Sequence, residues 1–374
     1  MPLPNGTFFM AFSLQIADRV YSLEELANYE FSTGQENYIL EAVQFLQCWG
    51  RGNQKFEQKT SGSTGKPKVI ELKRQHMEAS AKLSLTALNI PKNQPAILAI
   101  STAFIGGKML LVRAIINESP VLLLPPSTTF SSEAIPEQFR VGAWLSLVPL
   151  QATSLLDDAY GGKLLKMAKN VLLGGGPVSD VLKVAVQQIK TPFYSSYGMT
   201  ETCSHIALQR LNGNKANAYY QALPGVALSK DSRNCLVIDG PMVESPVVTN
   251  DVVELLSKSQ FKVLGRADNI INSGGVKIMP EIIEAAAEVY LAKVNAPVKA
   301  LASYKVHATL GQEVVLMLES EESLTADIEQ DLISYLKENL PKYWTPKKVI
   351  YVPEFKYLSS GKVDREGSRM AIAS

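Results

Sequence analysis

The sequence predicts an α/β protein: a large layered N-terminal domain with a small β-rich subdomain, followed by a small mobile α+β C-terminal domain. Three observations lead there. From about residue 69 to 200, short apolar runs alternate with helical patterns, which is the mark of a layered domain with much parallel sheet. After residue 215 the pattern turns strand-rich, and from about residue 267 a compact segment with two apolar-striped helices follows. The boundary is placed at Gly265–Asp268, which gives domains 1–267 and 268–374.

The strands expected in the first domain are Lys68–Leu72, Ala96–Ile100, Val121–Leu124, Trp144–Val148, Val171–Leu173 and Pro192–Ser195. Helices are expected between them at about 75–88, 107–116, 150–157 and 178–189. In such sheets ligands sit at the carboxyl ends of the strands. Cys235–Ile238, Val252–Ser257 and Phe261–Leu264 read as strands of the smaller β unit. In the last domain a helix near Pro280–Ala292 puts Ile282, Ala286, Val289 and Tyr290 on one face. A second helix near Ser323–Leu340 repeats Leu324, Ile328, Leu332, Leu336 and Leu340 every four residues, the spacing of a core-facing stripe. Strands near 300–306, 313–319 and 347–352 surround the two helices.

Composition narrows the function classes. The 374 residues are 46% hydrophobic and 20% charged, enough for a sizeable core. Lys+Arg 37 against Asp+Glu 36 leaves +1, which argues against nucleic acid as the main partner. The apolar run from Leu110 to Leu124 is interrupted by Arg113, Asn117 and Glu118, so no span of roughly 18–20 apolar residues exists. The N-terminus lacks the charged region and cleavage site of a signal peptide. Cys48, Cys203 and Cys235 form neither a disulfide framework nor a metal motif. A reduced, cytoplasmic protein without structural zinc is expected. His76 and His307 are read as structural.

Four segments carry chemistry. In Thr60-Ser61-Gly62-Ser63-Thr64-Gly65-Lys66-Pro67-Lys68, glycine backbone, hydroxyls and lysines make an anion cradle; a polar surface loop is the alternative. It is not a Walker loop, because Gly62 and Gly65 are too close and Pro67 stands where a magnesium-binding hydroxyl would be. Tyr194 to Thr202 follows a strand and offers an aromatic to stack on a base, a hydroxyl for phosphate and a carboxylate for magnesium; a plain tight turn remains open. Gly265-Arg266-Ala267-Asp268-Asn269 and Ser273-Gly274-Gly275-Val276-Lys277 suit a hinge or an ordinary linker. Leu358 to Arg365 holds Lys362 after Ser-Ser-Gly, which alone reads as a solvated loop charge.

Together TSGSTGKPK, SYGMTET, the aspartate of Thr249–Asp251, GRADNIINSGG and SSGKVDR resemble, in order and over about residues 58–367, the adenylate-forming acyl/aryl-CoA synthetases. Within that family, the segments 146–156, 170–179 and SYGMTETCSHIAL are most similar to the branch of o-succinylbenzoate–CoA ligases of menaquinone synthesis. Two departures stand out. Family members usually have well over a hundred residues before the phosphate loop, whereas Thr60 comes early here. Ser101 to Lys108 also stand where relatives often carry an aromatic–His pair lining the acyl pocket.

The resemblance implies two half-reactions. A carboxylate attacks the α-phosphate of ATP to give an acyl adenylate; the C-terminal domain then rotates, and coenzyme A displaces AMP. It implies that Ser61, Gly62, Ser63, Thr64, Gly65 and Lys68 cradle phosphates. Thr200 would touch the α-phosphate and Glu201 would hold Mg²⁺. Tyr197, with Gly198 beside it, would stack on adenine next to Gly174, Gly175 and Gly176. Asp251 would accept the ribose hydroxyls, Arg266 would contact ribose or phosphate, and Lys362 would bridge carboxylate and α-phosphate. Asp268 is the matching hinge, and Gly274 and Gly275 would line the pantetheine path. Lys108, Ser204 and His205 are candidates to hold a second substrate carboxylate. A thiol nucleophile built on Cys203 and His205 lacks an orienting third group. The expected partner is a small carboxylic acid, without nucleic acid or membrane insertion, and a homodimer is compatible with the short N-terminal region. Another acyl or aryl acid, a carrier-protein thiol, and an inactive nucleotide-binding homologue stay open as alternatives.

Overall fold

A computed structural model describes residues 11–59, 68–129, 135–296, 298–358 and 363–372. The chain divides into two compact units. One comprises Met1–Leu228, Ile238–Val247 and Leu256–Phe261; the other comprises Ser229–Val237, Val248–Leu255 and Lys262–Ser374.

The first unit begins with strands β1 (Ser13–Ile16) and β2 (Arg19–Ser22) and helices α1 (Leu23–Ala27) and α2 (Asn37–Gly50). The hairpin of β3 (Lys55–Lys59) and β4 (Val69–Lys73) flanks the phosphate-loop sequence. Next come α3 (Arg74–Ala87), β5 (Ala96–Leu98), α4 (Ile105–Asn117), β6 (Pro120–Leu123), α5 (Glu137–Arg140), β7 (Trp144–Leu147), α6 (Pro149–Asp157), α7 (Ala159–Met167), β8 (Asn170–Leu173) and α8 (Asp180–Val186). Then β9 (Phe193–Met199), β10 (Ser204–Arg210) and β11 (Tyr220–Ala222) close the α/β part. The sheet order is β11-β10-β9-β8-β7-β5-β6-β1-β2. From β9 to β1 every pairing is parallel, as alternating strands and helices require. The strand-rich stretch contains β12 (Ala227–Lys230), β13 (Cys235–Asp239), β14 (Val247–Ser257) and β15 (Gln260–Arg266).

Both faces of the parallel sheet are covered. Ala96, Leu98, Val121, Leu123 and Trp144 pack on one side with residues of α2, α3 and α4. Ile97, Leu122, Leu145 and Leu147 pack on the other with residues of α5 to α8. Strands buried on both faces read as continuous apolar runs, which made them legible. Helix α4 is buried almost all round from Met109 to Ala114, Arg113 included.

The second unit holds a sheet ordered β17 (Val276–Ile278), β16 (Ile271–Ser273), β19 (Gly311–Glu319) and β18 (Lys299–His307), with β20 (Val349–Val352) parallel to β19. Alternation along β19 sends Val314, Leu316 and Leu318 toward α9 (Pro280–Lys293) and α10 (Ala326–Asn339). Val315 and Met317 meet Phe355 and Ile372 on the opposite face. This places the C-terminal stretch, with α11 (Arg365–Met370), on the second face.

One expected face is displaced. The fully buried stripe of α9 is Ile283, Ala287 and Leu291, not Ile282, Ala286, Val289 and Tyr290. Ile282, Ala286 and Tyr290 pack only partly against that core. The apolar arc of α9 is wide, so periodicity alone does not choose its centre. In α10, Leu332 and Leu336 are buried as expected, while Leu324 precedes the helix and Leu340 follows it.

Candidate active site

At the carboxyl ends of β8 and β9, two segments come together. The Gly174 amide donates to Leu147 O at 3.0 Å. A Cβ on Gly174 would lie 2.9 Å from Ser196 Oγ, and that hydroxyl donates to Leu173 O at 2.8 Å. The glycine run Gly174 to Gly176 is thus a neighbour of the strand carrying Tyr197. The Tyr197 ring stands edge-on to Phe261, with centroids 5.1 Å apart, and tilted against Tyr220 at 5.6 Å. Tyr220 stacks on Phe261 at 5.5 Å, and its hydroxyl is 3.0 Å from Ser195 Oγ. This aromatic bracket is set by the pairing of β11 with Gln260 and Phe261, which no local motif announces.

Beyond Tyr197 the chain reverses sharply. A Cβ on Gly198 would lie 2.2 Å from Ser204 O, so only glycine fits. Thr200 and Glu201 sit in a 3₁₀ turn, Thr200–Thr202. Thr202 Oγ1 accepts from Met199 N at 3.1 Å and donates to Ser204 O at 2.7 Å, stapling the turn. The exit runs through Cys203 at φ 52° and Ser204 at φ 99°. Such conformations cost on the order of 1–3 kcal/mol each and persist where the surroundings hold them. One such hold is Ser80 Oγ, which donates to Cys203 O at 2.9 Å. The Cys203 thiol is pushed up to about 12 by burial, so it is no nucleophile at neutral pH.

Glu201 is exposed and lines a cleft of about 180 Å³ together with Lys73, His76 and Glu244. Among the described residues no three His, Cys, Asp or Glu side chains could hold a metal ion. A single accessible carboxylate still suits magnesium, which keeps waters and takes substrate phosphate oxygens.

His205 follows at the start of β10, 4% exposed, its Nε2 without a hydrogen-bond partner among the described residues. Burial and then the Arg113 charge press its pKa down to about 3, so the ring is neutral at pH 7. Arg113, on α4, is 1% exposed. Its Nε and one terminal nitrogen have no partner among the described residues. Burial lowers it to about 10, which leaves it charged at neutral pH. Neighbouring α3 carries a third such group, the buried Ser84 hydroxyl. Sequence reasoning did not single out Arg113, although its interruption of an apolar run was the available signal. Lys108 lies elsewhere on α4. Its Nζ donates to Glu57 O at 3.2 Å and stands 5.7 Å from the Phe45 ring centroid.

In the second unit, Arg266 joins two carboxylates. It donates to Asp251 Oδ1 at 3.2 Å and to both oxygens of Asp268, at 2.9 and 2.7 Å. Asp251 is buried, and its amide is held by Thr249 Oγ1 at 3.0 Å. Burial raises the Asp268 carboxyl, but Arg266 outweighs it and the net direction is down. Gly274 at φ 55° and Gly275 at φ 84° form the two-residue turn between β16 and β17, which needs positive φ at both positions. Lys68 stands just before β4 and is engaged there. Ser61, Gly62, Ser63, Thr64, Gly65 and Lys362 lie outside the described residues.

Comparison with known proteins gives this geometry a family. Residues 58–232 match the family described as AMP-binding enzyme. The 2-succinylbenzoate–CoA ligase of Listeria monocytogenes is 28% identical over 349 residues, which cover 86% of this chain and 71% of that protein. The solved o-succinylbenzoate coenzyme A synthetase of Bacillus subtilis, in complex with ATP and magnesium ion, shares the fold at TM-score 0.69 and 24% identity, covering 84% of this chain and 69% of that one. An acyl-CoA synthetase (AMP-forming)/AMP-acid ligase II-like protein from Dyadobacter fermentans is 31% identical with TM-score 0.59, covering 92% of this chain and 97% of that one. No helix among the described residues is long and apolar enough to cross a membrane. The chain belongs to the AMP-binding family of adenylate-forming acyl-CoA synthetases.

Proposed function

We propose that the protein is a cytoplasmic ATP-dependent carboxylate–CoA ligase that converts o-succinylbenzoate to its coenzyme A thioester in menaquinone synthesis. The observation that carries this substrate is Arg113, a buried, charged guanidinium two of whose nitrogens find no acceptor among the described residues, and whose charge acts on neutral His205. An unmatched buried charge is costly and calls for a counter-ion. A substrate with one carboxylate to activate and another to anchor supplies it. Arg113 then takes the role first sought in Lys108, with His205 and Ser204 as flanking groups.

In the first half-reaction a carboxylate oxygen of the acid attacks the α-phosphorus of ATP and pyrophosphate leaves. Ser61 to Gly65 and Lys68 hold the departing phosphates, and Thr200 meets the α-phosphate. Tyr197, fixed by Tyr220 and Phe261, offers a rigid ring for adenine beside Gly174 to Gly176. Glu201 would hold a magnesium ion, which would supply positive charge to offset that of the phosphates. Asp251 and Arg266 take the ribose. Lys362 meets the negative charge that builds at the reacting oxygens, an effect worth ~3–4 kcal/mol, or about 10²–10³ in rate. In the second half-reaction the coenzyme A sulfur attacks the acyl carbon and AMP leaves. The segment 268–374 is the mobile domain of this scheme, Asp268 is its hinge, and Gly274 and Gly275 line the thiol's path.

The test is pyrophosphate release with ATP, Mg²⁺ and o-succinylbenzoate, against benzoate, medium-chain fatty acids and amino acids, with mass detection of the thioester. Release and thioester with o-succinylbenzoate alone support the reading; release with another acid removes the substrate and keeps the chemistry. Lys362→Ala is expected to lower adenylation by about 10²–10³ while thioester formation from supplied acyl adenylate survives. Equal loss of both half-reactions would count against that role.

A further inference from the structure

The described residues before and after residues 359–362, which include Lys362, are each fastened, and the two fastenings are unequal. On the N-terminal side Tyr357 pairs across an isolated antiparallel bridge with Val363. The Tyr357 hydroxyl donates to Glu319 Oε1 at 2.6 Å and accepts from Lys299 Nζ at 2.7 Å. Tyr357 and Lys299 are exposed, so salt and water weaken this contact.

The C-terminal fastening is better shielded. Arg365 clamps Glu284 of α9 through two parallel bonds, from its terminal nitrogens to Oε1 at 2.7 Å and Oε2 at 2.6 Å. Their side chains are only 29% and 13% exposed. Glu284 Oε1 also accepts from Ala302 N of β18 at 2.8 Å, which fixes the carboxylate before Arg365 arrives. One turn earlier on α9, Glu281 Oε1 stands 3.8 Å from Arg365 and accepts from Asn269 Nδ2 at 2.5 Å. Asn269 follows Asp268 directly. A planar fork gripping a pre-fixed carboxylate sets orientation as well as distance, which a lysine in its place does not.

We propose that Arg365 and Glu284 are positioning residues for adenylation: their paired bonds orient the chain three residues beyond Lys362 against α9, the helix that Glu281 ties to Asn269 at the hinge. The proposal rests on the ligase reading above and on Lys362 serving the first half-reaction. Neither residue touches substrate. Together they hold the chain at Arg365, three residues after Lys362 in the sequence, and a displacement of about 1 Å at a reacting group costs about 10² in rate.

The test compares Arg365→Lys, Glu284→Gln and the double variant Arg365→Met/Glu284→Met in the full chain. Each single variant is expected to lower adenylation kcat by about 10²-fold, with the KM for ATP within about threefold. Thioester formation from supplied acyl adenylate should stay within about threefold of the unmodified chain. A single variant leaves a buried charge unmatched and can lose stability, whereas the apolar double variant removes both charges and should melt like the unmodified chain. The double variant should nevertheless adenylate as slowly as the singles. Recovery of adenylation along with stability would show the pair to be merely structural and overturn the proposal, as would equal loss of both half-reactions. Hydrogen exchange supplies a readout independent of activity: amides of 356–372 should exchange faster in the single variants, and unchanged exchange would refute the clamp. No pyrophosphate release from the unmodified chain with any acid would defeat the ligase reading, and with it the role in adenylation, while the exchange result would still decide whether the clamp exists.

Discussion

Two arginines of this chain occupy opposite electrostatic conditions. Arg266 is 36% exposed at its side chain and already holds Asp251 and Asp268. Arg113 is buried in an apolar helix, with donors that no described residue accepts. A cation matched by its own chain serves the chain's geometry, and Arg266 does so by joining Asp251 to Asp268. A cation left unmatched in a low-dielectric interior raises the free energy of the empty protein. Its retention makes sense where a ligand brings the missing charge.

Exchanging each arginine for methionine breaks the comparison most directly. Arg113→Met removes a buried charge that has no ion-pair partner among the described residues and fills the space with an apolar side chain. It should stabilise the ligand-free protein by about 1–4 kcal/mol, read from urea midpoints at pH 7. A destabilisation of that size would mean that Arg113 has a structural partner and that the contrast is false.

His205 sharpens the picture through pH. Its folded pKa, about 3, lies below the ordinary 6.5 because of burial and the Arg113 charge. As pH falls from about 6.5 toward 3, the unfolded chain takes up a proton at this position and the folded chain does not. Stability is therefore lost across that window, at a limiting slope of ~1.4 kcal/mol per pH unit. His205→Asn should remove this part of the slope. Identical slopes in the variant and the unmodified chain would show that the ring is not held neutral.

The smallest effect belongs to Arg266→Met, which removes one ion-pair partner from Asp251 and the two parallel bonds to Asp268. It should destabilise by about 1 kcal/mol and lose much of that difference in high salt. The sign is opposite to that at Arg113, although the substitution is the same. A stabilising Arg266→Met would erase the distinction.

How much of this was legible beforehand varied with physical cause. The parallel strands announced themselves because burial on both faces makes them uniformly apolar, as in Val121–Leu123. Of the motif segments, Tyr194–Thr202 falls on β9 and the turn after it, whereas residues 60–67 and 359–362 lie outside the described residues. Residues 11–59 were not, since β1 and β2 span four residues each and β1 is defined by its pairing with distant β6. Helix α7, with Gly161 and Gly162 inside it, defied propensity; a Cβ on Gly161 would lie 2.5 Å from Leu155 O, so close packing explains that glycine. The Tyr197 bracket and the Arg113–His205 pair both join residues far apart in sequence. Arg113 was visible only as an interruption of an apolar run, which excludes a membrane span without revealing what the charge is for.

The most direct test of the account is the acid preference of Arg113→Met. Pyrophosphate release would be followed with o-succinylbenzoate and with benzoate, for the variant and the unmodified chain, and each kcat/KM compared. If Arg113 anchors the second carboxylate, o-succinylbenzoate loses about 2 kcal/mol or more, some thirtyfold, with benzoate changed by no more than a few-fold. An equal fall for both acids, or unchanged preference for o-succinylbenzoate, would contradict Arg113 as the anchor of a second carboxylate.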